Sequence, residues 1–363
     1  MLGQTTLVAL LVVLTNCCMV LIVQADNQFS KKQTVAVENA PIDDVTFRYI
    51  KTNGITMRIA EMGDTGPLIL MAHGWPESWY SWRHQIRFLA AAGYRVVAPD
   101  MRGYGKTDAP LDVNSYDITT LAGDMIGVLD ALGEEQATMV GHDWGAIVAA
   151  YSTLLYPERF SSLIIMSVPH QGRGASPPIP ALKARFRNDF FYMLYHNEAG
   201  GIAEAEYDRD PRALLSRLYL SPDSLRQEPT VTNPLRSAGG WIPRLGAAVN
   251  LPDWLQQRDL DYLVAQYQAS GFRGGLNYYR NLDRNWEITA TLVDAKIEVP
   301  TLFIAGEKDG VIAGATKDML RASMKTAIPN LHDIILVPGV GHWIQQEAPD
   351  ETNQAMIKFL EAL

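Results

Sequence analysis

The chain has 363 residues, 47 % hydrophobic and 20 % charged. These proportions exclude wholesale disorder, collagen and coiled coil, and fit one large domain or two modest ones. Against 40 acidic residues stand 31 basic ones, for a formal net charge of −9; no Lys/Arg cluster stands out, so no nucleic-acid partner is expected.

The chain opens on an apolar run, Leu7 to Val23, interrupted by Thr15, Asn16, Cys17 and Cys18 and followed by Gln24-Ala25. This pattern predicts a signal peptide over residues 1–25, cleaved after Ala25, and hence a secreted or periplasmic protein. No Lys or Arg precedes the run, so an uncleaved membrane anchor is the alternative, although a span needs about 20 apolar residues. Cys17 and Cys18 are the only cysteines, so the body has no disulfide and no thiol chemistry. Residues 26–44 are polar and unpatterned, a linker.

Regular structure begins at Val45. Val45–Lys51 and Ile55–Glu61 alternate as two strands joined by an Asn53-Gly54 turn. Pro67–Ala72, Tyr94–Ala98, Ala137–Val140 and Leu163–Val168 are apolar runs suited to strands buried on both faces. Between them Trp79–Ala92, Ile118–Leu132 and Ala146–Tyr156 have helical spacing, ending at Gly93, Gly133 and Pro157. The alternation predicts an α/β fold, a mostly parallel, doubly wound sheet covered by helices. At Pro169 the pattern breaks into helical, aromatic-rich sequence interrupted by prolines. Strands resume at Pro300–Ala305 and Asp333–Val337, and a last helix runs from about Pro349 to Leu363. The expected organisation is a core of residues 45–168 and 286–363, with a helical lid, 169–285, inserted after the sixth strand.

The chemistry is carried by Gly141-His142-Asp143-Trp144-Gly145, where a strand runs into a helix through Gly-x-Asp-x-Gly. In the hydrolase elbow Gly-x-Ser-x-Gly, the nucleophile stands at the tip of a strained turn. Asp143 occupies that tip here; an Asp before a helix also suits an N-cap. A serine attacking saturated carbon would leave a stable ether, whereas an aspartate leaves an ester that water can cleave. An Asp nucleophile therefore suits epoxides and alkyl halides. Asp309, after the strand beginning at Pro300, is the candidate acid, with Glu307 as its nearest rival. His342, after the last strand, is the candidate base. The oxyanion hole would use the backbone N–H groups of Trp144 and Trp75, with the Trp75 side chain free to pack substrate. His73 is read as structural.

Four blocks, HGWPESWYSWRHQ from His73, DMRGYGKTD from Asp100, GHDWGA from Gly141 and GFRGGLNYYRNLDRNW from Gly271, resemble the epoxide hydrolase branch of the α/β-hydrolase family. The similarity is to the soluble enzymes of mammals and plants and covers about Val45 to Leu360. It does not include the N-terminal phosphatase domain of the mammalian members. The resemblance implies an α/β-hydrolase fold and two lid tyrosines that hydrogen-bond the epoxide oxygen. These match Tyr192 and Tyr279, with Tyr195 a rival for the first. A secreted bacterial branch has His in place of that first tyrosine, which a correctly placed Tyr192 would argue against. Trp75, Trp144 and Tyr278 are assigned to substrate binding.

Gly103-Tyr104-Gly105-Lys106-Thr107 ends like a phosphate loop, but Asp100 stands where its first glycine is required. No zinc spacing or dinucleotide fingerprint occurs, so no metal and no cofactor are expected. The expected partners are a small epoxide and water. The alternatives are a haloalkane dehalogenase using the same aspartate, or a ligand-binding homologue without catalysis.

Overall fold

A tight Asn53-Gly54 turn, both residues with positive φ, folds β1 (Thr46–Thr52) back on β2 (Ile55–Met62) with Thr52 opposite Ile55. Asn and Gly are the residues that accept such a turn, whose twist matches that of the strands it joins. The computed structural model describes residues 42–363. The leader with its cysteines, and the linker up to residue 41, lie outside the described residues.

The hairpin starts an eight-stranded sheet of order β1-β2-β4-β3-β5-β6-β7-β8. The remaining strands are β3 (Leu68–Ala72), β4 (Arg95–Pro99), β5 (Ala137–His142), β6 (Phe160–Met166), β7 (Thr301–Gly306) and β8 (Leu331–Val337). From β4 to β8 all neighbours run parallel, while β1 and β2 are antiparallel to theirs. The central strands are buried on both faces and split their residues between two cores. Leu68, Leu70 and Ala72 of β3 join Met139, Leu163, Ile165 and Phe303 on one face. Ile69 and Met71 join Val140, Ile164, Met166, Leu302 and Ile304 on the other. This period-2 division explains the unbroken apolar runs in the sequence. Truncating one such side chain to alanine costs about 2–5 kcal/mol.

Helices cover both faces. α1 (Arg83–Ala91) follows a 3₁₀ turn at Trp79–Trp82, so the expected Trp79–Ala92 helix is two pieces, the first started by the Ser78 side chain capping Tyr80 N–H. α2 (Ile118–Leu132) is capped by Asp117, which accepts from Thr120 N–H, and stopped by Gly133 in the left-handed region. α3 (Trp144–Leu155) starts two residues before its expected Ala146, because Asp143 alone makes the turn.

Between β6 and β7 lie seven helices: α4 (Pro178–Phe186), α5 (Tyr192–His196), α6 (Ile202–Arg209), α7 (Pro211–Leu218), α8 (Gln257–Ser270), α9 (Arg273–Arg280) and α10 (Leu282–Ile288). The expected lid boundary at 285 falls inside α10. Trp286 of that helix lies 4.0 Å beneath the Arg173 guanidinium and donates Nε1–H to the Gly174 carbonyl at 2.7 Å. The entry and exit of the lid are thereby joined in a neck. On the core side, Asn285 Oδ1 accepts the Ile118 N–H that begins α2. After β7 come α11 (Lys317–Met324), α12 (Ile344–Glu347) and α13 (Pro349–Leu360). Among the described residues no helix is long and apolar enough to cross a membrane.

Candidate active site

Asp143 stands between β5 and α3 with φ 53° and ψ −119°, a conformation that costs a non-glycine residue about 1–3 kcal/mol. Its neighbours must lack side chains. A β-carbon on Gly141 would lie 2.1 Å from the Gly145 carbonyl, and one on Gly145 2.0 Å from the Ala72 carbonyl. These crowded contacts press the turn outward and present the carboxylate above the C-terminal ends of the strands, where ligands bind in open α/β sheets.

The two carboxylate oxygens have different surroundings. Oδ1 accepts the Trp75 N–H at 2.8 Å. Trp144 is the first residue of α3, and its N–H is one of those a helix leaves without an intrahelical partner. Oδ2 faces His342, with Nε2 at 3.7 Å, beyond hydrogen-bond distance. Asp309 Oδ2 accepts from His342 Nδ1 at 2.9 Å, and its Oδ1 accepts the Val311 N–H at 2.8 Å. Glu307, the rival acid, instead accepts the Gly339 N–H at 3.3 Å. Burial works against charge on both partners, but each is held charged by the other. Asp309 and Asp143 keep the His342 imidazole well above its usual value, and His342 keeps the Asp309 carboxyl below its own.

A buried pair beneath the triad escaped the sequence reading. Glu77 Oε1 accepts the Gly74 N–H at 2.9 Å and contacts His142 Nδ1 at 2.7 Å, while Oε2 accepts from Gln345 Nε2 at 2.9 Å. His142 Nε2 donates to the His342 carbonyl at 2.8 Å. The loop that carries Trp75, the strand that leads to Asp143 and the segment that carries His342 are tied to one carboxylate. Burial alone would raise the Glu77 carboxyl, but His142 holds it below its usual range. His73 is placed structurally: Nδ1–H donates to the Gly74 carbonyl and Nε2 accepts the Met101 N–H.

Above the triad lies a cavity of about 670 Å³ lined by Asp143, Asp309, His342, Trp75, Tyr192 and Tyr279 with apolar residues of the lid. Tyr192 begins α5 and Tyr279 is the penultimate residue of α9, their ring centroids 5.9 Å apart. Burial first, and Asp143 second, push both phenols above their usual value, so both carry their protons. Tyr195, the rival of Tyr192, turns the other way and donates its hydroxyl to Glu206 at 2.8 Å. Two expectations need correction. Tyr278 is outside the cavity: one helical step from Tyr279, it points at the core and donates to the Arg102 carbonyl at 3.1 Å. The Trp144 ring does not itself line the cavity; it packs edge-on against Tyr278 and against Tyr279, a cavity-lining side chain toward which it also acts as a hydrogen-bond donor. Trp241, which the sequence did not single out, stacks between Tyr192 (5.0 Å) and Trp75 (5.8 Å) in the cavity wall. Among the described residues no group of three or more His, Cys, Asp or Glu side chains could hold a metal ion.

The alpha/beta hydrolase fold family matches residues 67–349. Epoxide hydrolase A of Mycobacterium tuberculosis is 43 % identical over 321 residues, covering 88 % of this chain and 98 % of that protein. Epoxide hydrolase 3 of Siraitia grosvenorii is 39 % identical over 324 residues, 88 % of this chain and 99 % of that one. The crystal structure of epoxide hydrolase A from Mycobacterium thermoresistibile superposes with a TM-score of 0.80 at 42 % identity, over 87 % of this chain and 98 % of that one.

Proposed function

The chain belongs to the α/β-hydrolase family, within its epoxide hydrolases, and from that membership we propose that it opens an epoxide through an ester on Asp143. Oδ2 attacks a ring carbon as the C–O bond to the ring oxygen breaks. Tyr192 and Tyr279 hydrogen-bond that oxygen and supply its proton, which an unactivated ether needs in order to leave. Water then attacks the ester carbonyl carbon while His342 takes its proton and Asp309 stabilises the imidazolium. Charge develops on Oδ1, which the Trp75 N–H already holds. The bond from the carbonyl carbon to Oδ2 breaks and the imidazolium returns its proton to Oδ2, so Oδ2 departs with the diol and the oxygen of water stays on Asp143.

The electrostatics order the two steps. Free Asp143 helps to hold His342 protonated. Once esterified it carries no charge, so that support is lost and more of the imidazole is in the neutral form that can take a proton from water. The observation that carries the assignment is the division of labour on the carboxylate, Oδ1 on a backbone N–H and Oδ2 facing the base and the cavity.

A single turnover in ¹⁸O-labelled water tests it. Label should enter Asp143 and be absent from the first diol formed. Label in that diol would mean direct attack by water and would remove the nucleophile. A parallel assay with bromo- and chloroalkanes addresses dehalogenation, a reading disfavoured because the similar proteins are epoxide hydrolases. The leader supports export with cleavage after Ala25, which N-terminal sequencing of exported protein checks.

A further inference from the structure

Two hydroxyls that serve one oxygen atom must be held within about 0.5 Å of the productive arrangement. Tyr192 and Tyr279 lie on separate helices, and α5 is a single turn of five residues without a side-chain N-cap. So short a helix has no stability of its own in water. What joins the two lies at their C-terminal ends. Arg280, next to Tyr279, donates Nε–H to the carbonyl of His196, the last residue of α5, at 3.1 Å. Its Nη1 reaches Asn277 Oδ1 at 3.0 Å and pairs with Glu204 of α6 at 2.5 Å. Asn197, which follows α5, donates Nδ2–H both to Met193 O of α5 at 2.9 Å and to Tyr279 O of α9 at 3.2 Å. Carbonyls that a helix end leaves without partners are thus satisfied across the gap between the helices. A cation at this junction also complements the negative ends of both helix dipoles.

None of the three side chains lines the cavity. The Arg280–Glu204 pair is largely withdrawn from water, and removing either partner strands the other. We propose that Arg280, Glu204 and Asn197 are positioning residues that lock the ends of α5 and α9 together and so set the spacing of the Tyr192 and Tyr279 hydroxyls. The inference rests on the role given above to the two tyrosines. It confines the effect to ring opening, because ester hydrolysis uses His342 and Asp309, which the core carries.

The test is single-turnover kinetics of the full chain with styrene oxide. Ester formation is followed by the fluorescence of the tryptophans beside Asp143, and ester hydrolysis by release of diol. Misplacement of a catalytic group by about 1 Å can cost on the order of 10²-fold. Arg280→Met should accordingly slow ester formation by about 10- to 100-fold and leave ester hydrolysis unchanged. Arg280→Lys, which keeps the charge but loses the fork of donors, should fall between. In a Tyr279→Phe background Arg280→Met should cost much less, since its effect passes through that hydroxyl. Equal slowing of both steps, or the full cost in the Tyr279→Phe background, would overturn the proposal. Should Arg280→Met fail to fold, Asn197→Ala, which removes only the bridging amide, carries the same comparison. Failure of the underlying function would look different, because the unmodified chain would then form no ester on Asp143.

Discussion

The core and the lid place their functional groups by different means. Asp143, Asp309 and His342 each follow a strand of one parallel sheet, and the hydrogen-bonded register of β5, β6, β7 and β8 fixes how far apart they stand. Tyr192 and Tyr279 ride on short helices held by side chains, Arg280 and Asn197 above all. Lid-borne groups share their supports, so a change at one is felt at the other. The proposed chemistry divides along the same line, with Asp143, His342 and Asp309 in the core and the tyrosine hydroxyls in the lid.

The largest expected effect comes from the core. Asp143→Ala should abolish ester formation and diol release, with a far-UV circular dichroism spectrum and cooperative unfolding like those of the parent. Asp143→Gly should be equally inactive but more stable than Asp143→Ala, because only glycine adopts φ 53° without strain. Equal stability of the two variants would show that the turn stores no strain. Next comes Asp309→Asn, which removes the carboxylate beside Nδ1. The rate should fall by about 10²- to 10⁴-fold, the usual worth of a general base. The sign of the pH effect follows from the cause of the shift. Asp309 raises the His342 pKa, so without it the imidazole loses its proton at lower pH. The acid limb of the kcat profile should move toward lower pH; an unmoved limb would exclude His342 as the titrating base.

The core candidates were also the more legible ones. An elbow with two flanking glycines, followed by Asp and His at the ends of later strands, is a pattern in chain order that survives without coordinates. The lid resisted for physical reasons. Tyr278 and Tyr279 are both aromatic and both buried, so hydrophobic periodicity does not say which one turns toward the cavity; packing against Arg102 and Tyr104 does. The Trp144 ring follows Asp143 in sequence, yet it meets the cavity only through Tyr279, against which it packs. Glu77 and His142 form a buried ionisable pair that only the fold brings together from 65 residues apart, and either alone resembles an ordinary polar residue. Trp241 lies in a proline-interrupted stretch with no period. Its position depends on Glu206, which accepts the Trp241 and Ile242 N–H groups at 2.9 and 3.0 Å.

Smaller effects belong to the lid. Tyr279→Phe and Tyr192→Phe should each slow ester formation by about 10- to 100-fold, below the range of a sole general acid because the other hydroxyl remains. The double variant should lose more than either alone. Tyr195→Phe separates packing from chemistry. Its hydroxyl serves Glu206, so ester formation should hardly change while stability falls by about 1 kcal/mol for the lost hydrogen bond. A large kinetic loss in Tyr195→Phe, with none in Tyr192→Phe, would exchange their roles.

The last expected effect is on local opening rather than on rate, and tests whether lid and core are one cooperative unit. Trp286 closes the neck by stacking under Arg173 and bonding Gly174, while its neighbours Asn285 and Arg284 bind the start of α2 in the core. Trp286→Ala removes the cation–π contact and one hydrogen bond, together worth about 1–2 kcal/mol. If the lid opens on its own, that loss is local: amide hydrogens of α4 and α5 should exchange faster while those of β3, β5 and β7 keep their protection. If lid and core open only together, protection should fall equally in both. The local outcome fits the division seen at the active site, because a rigid sheet can keep nucleophile and base in register while the lid opens to admit substrate and closes to bring its two hydroxyls onto the ring oxygen.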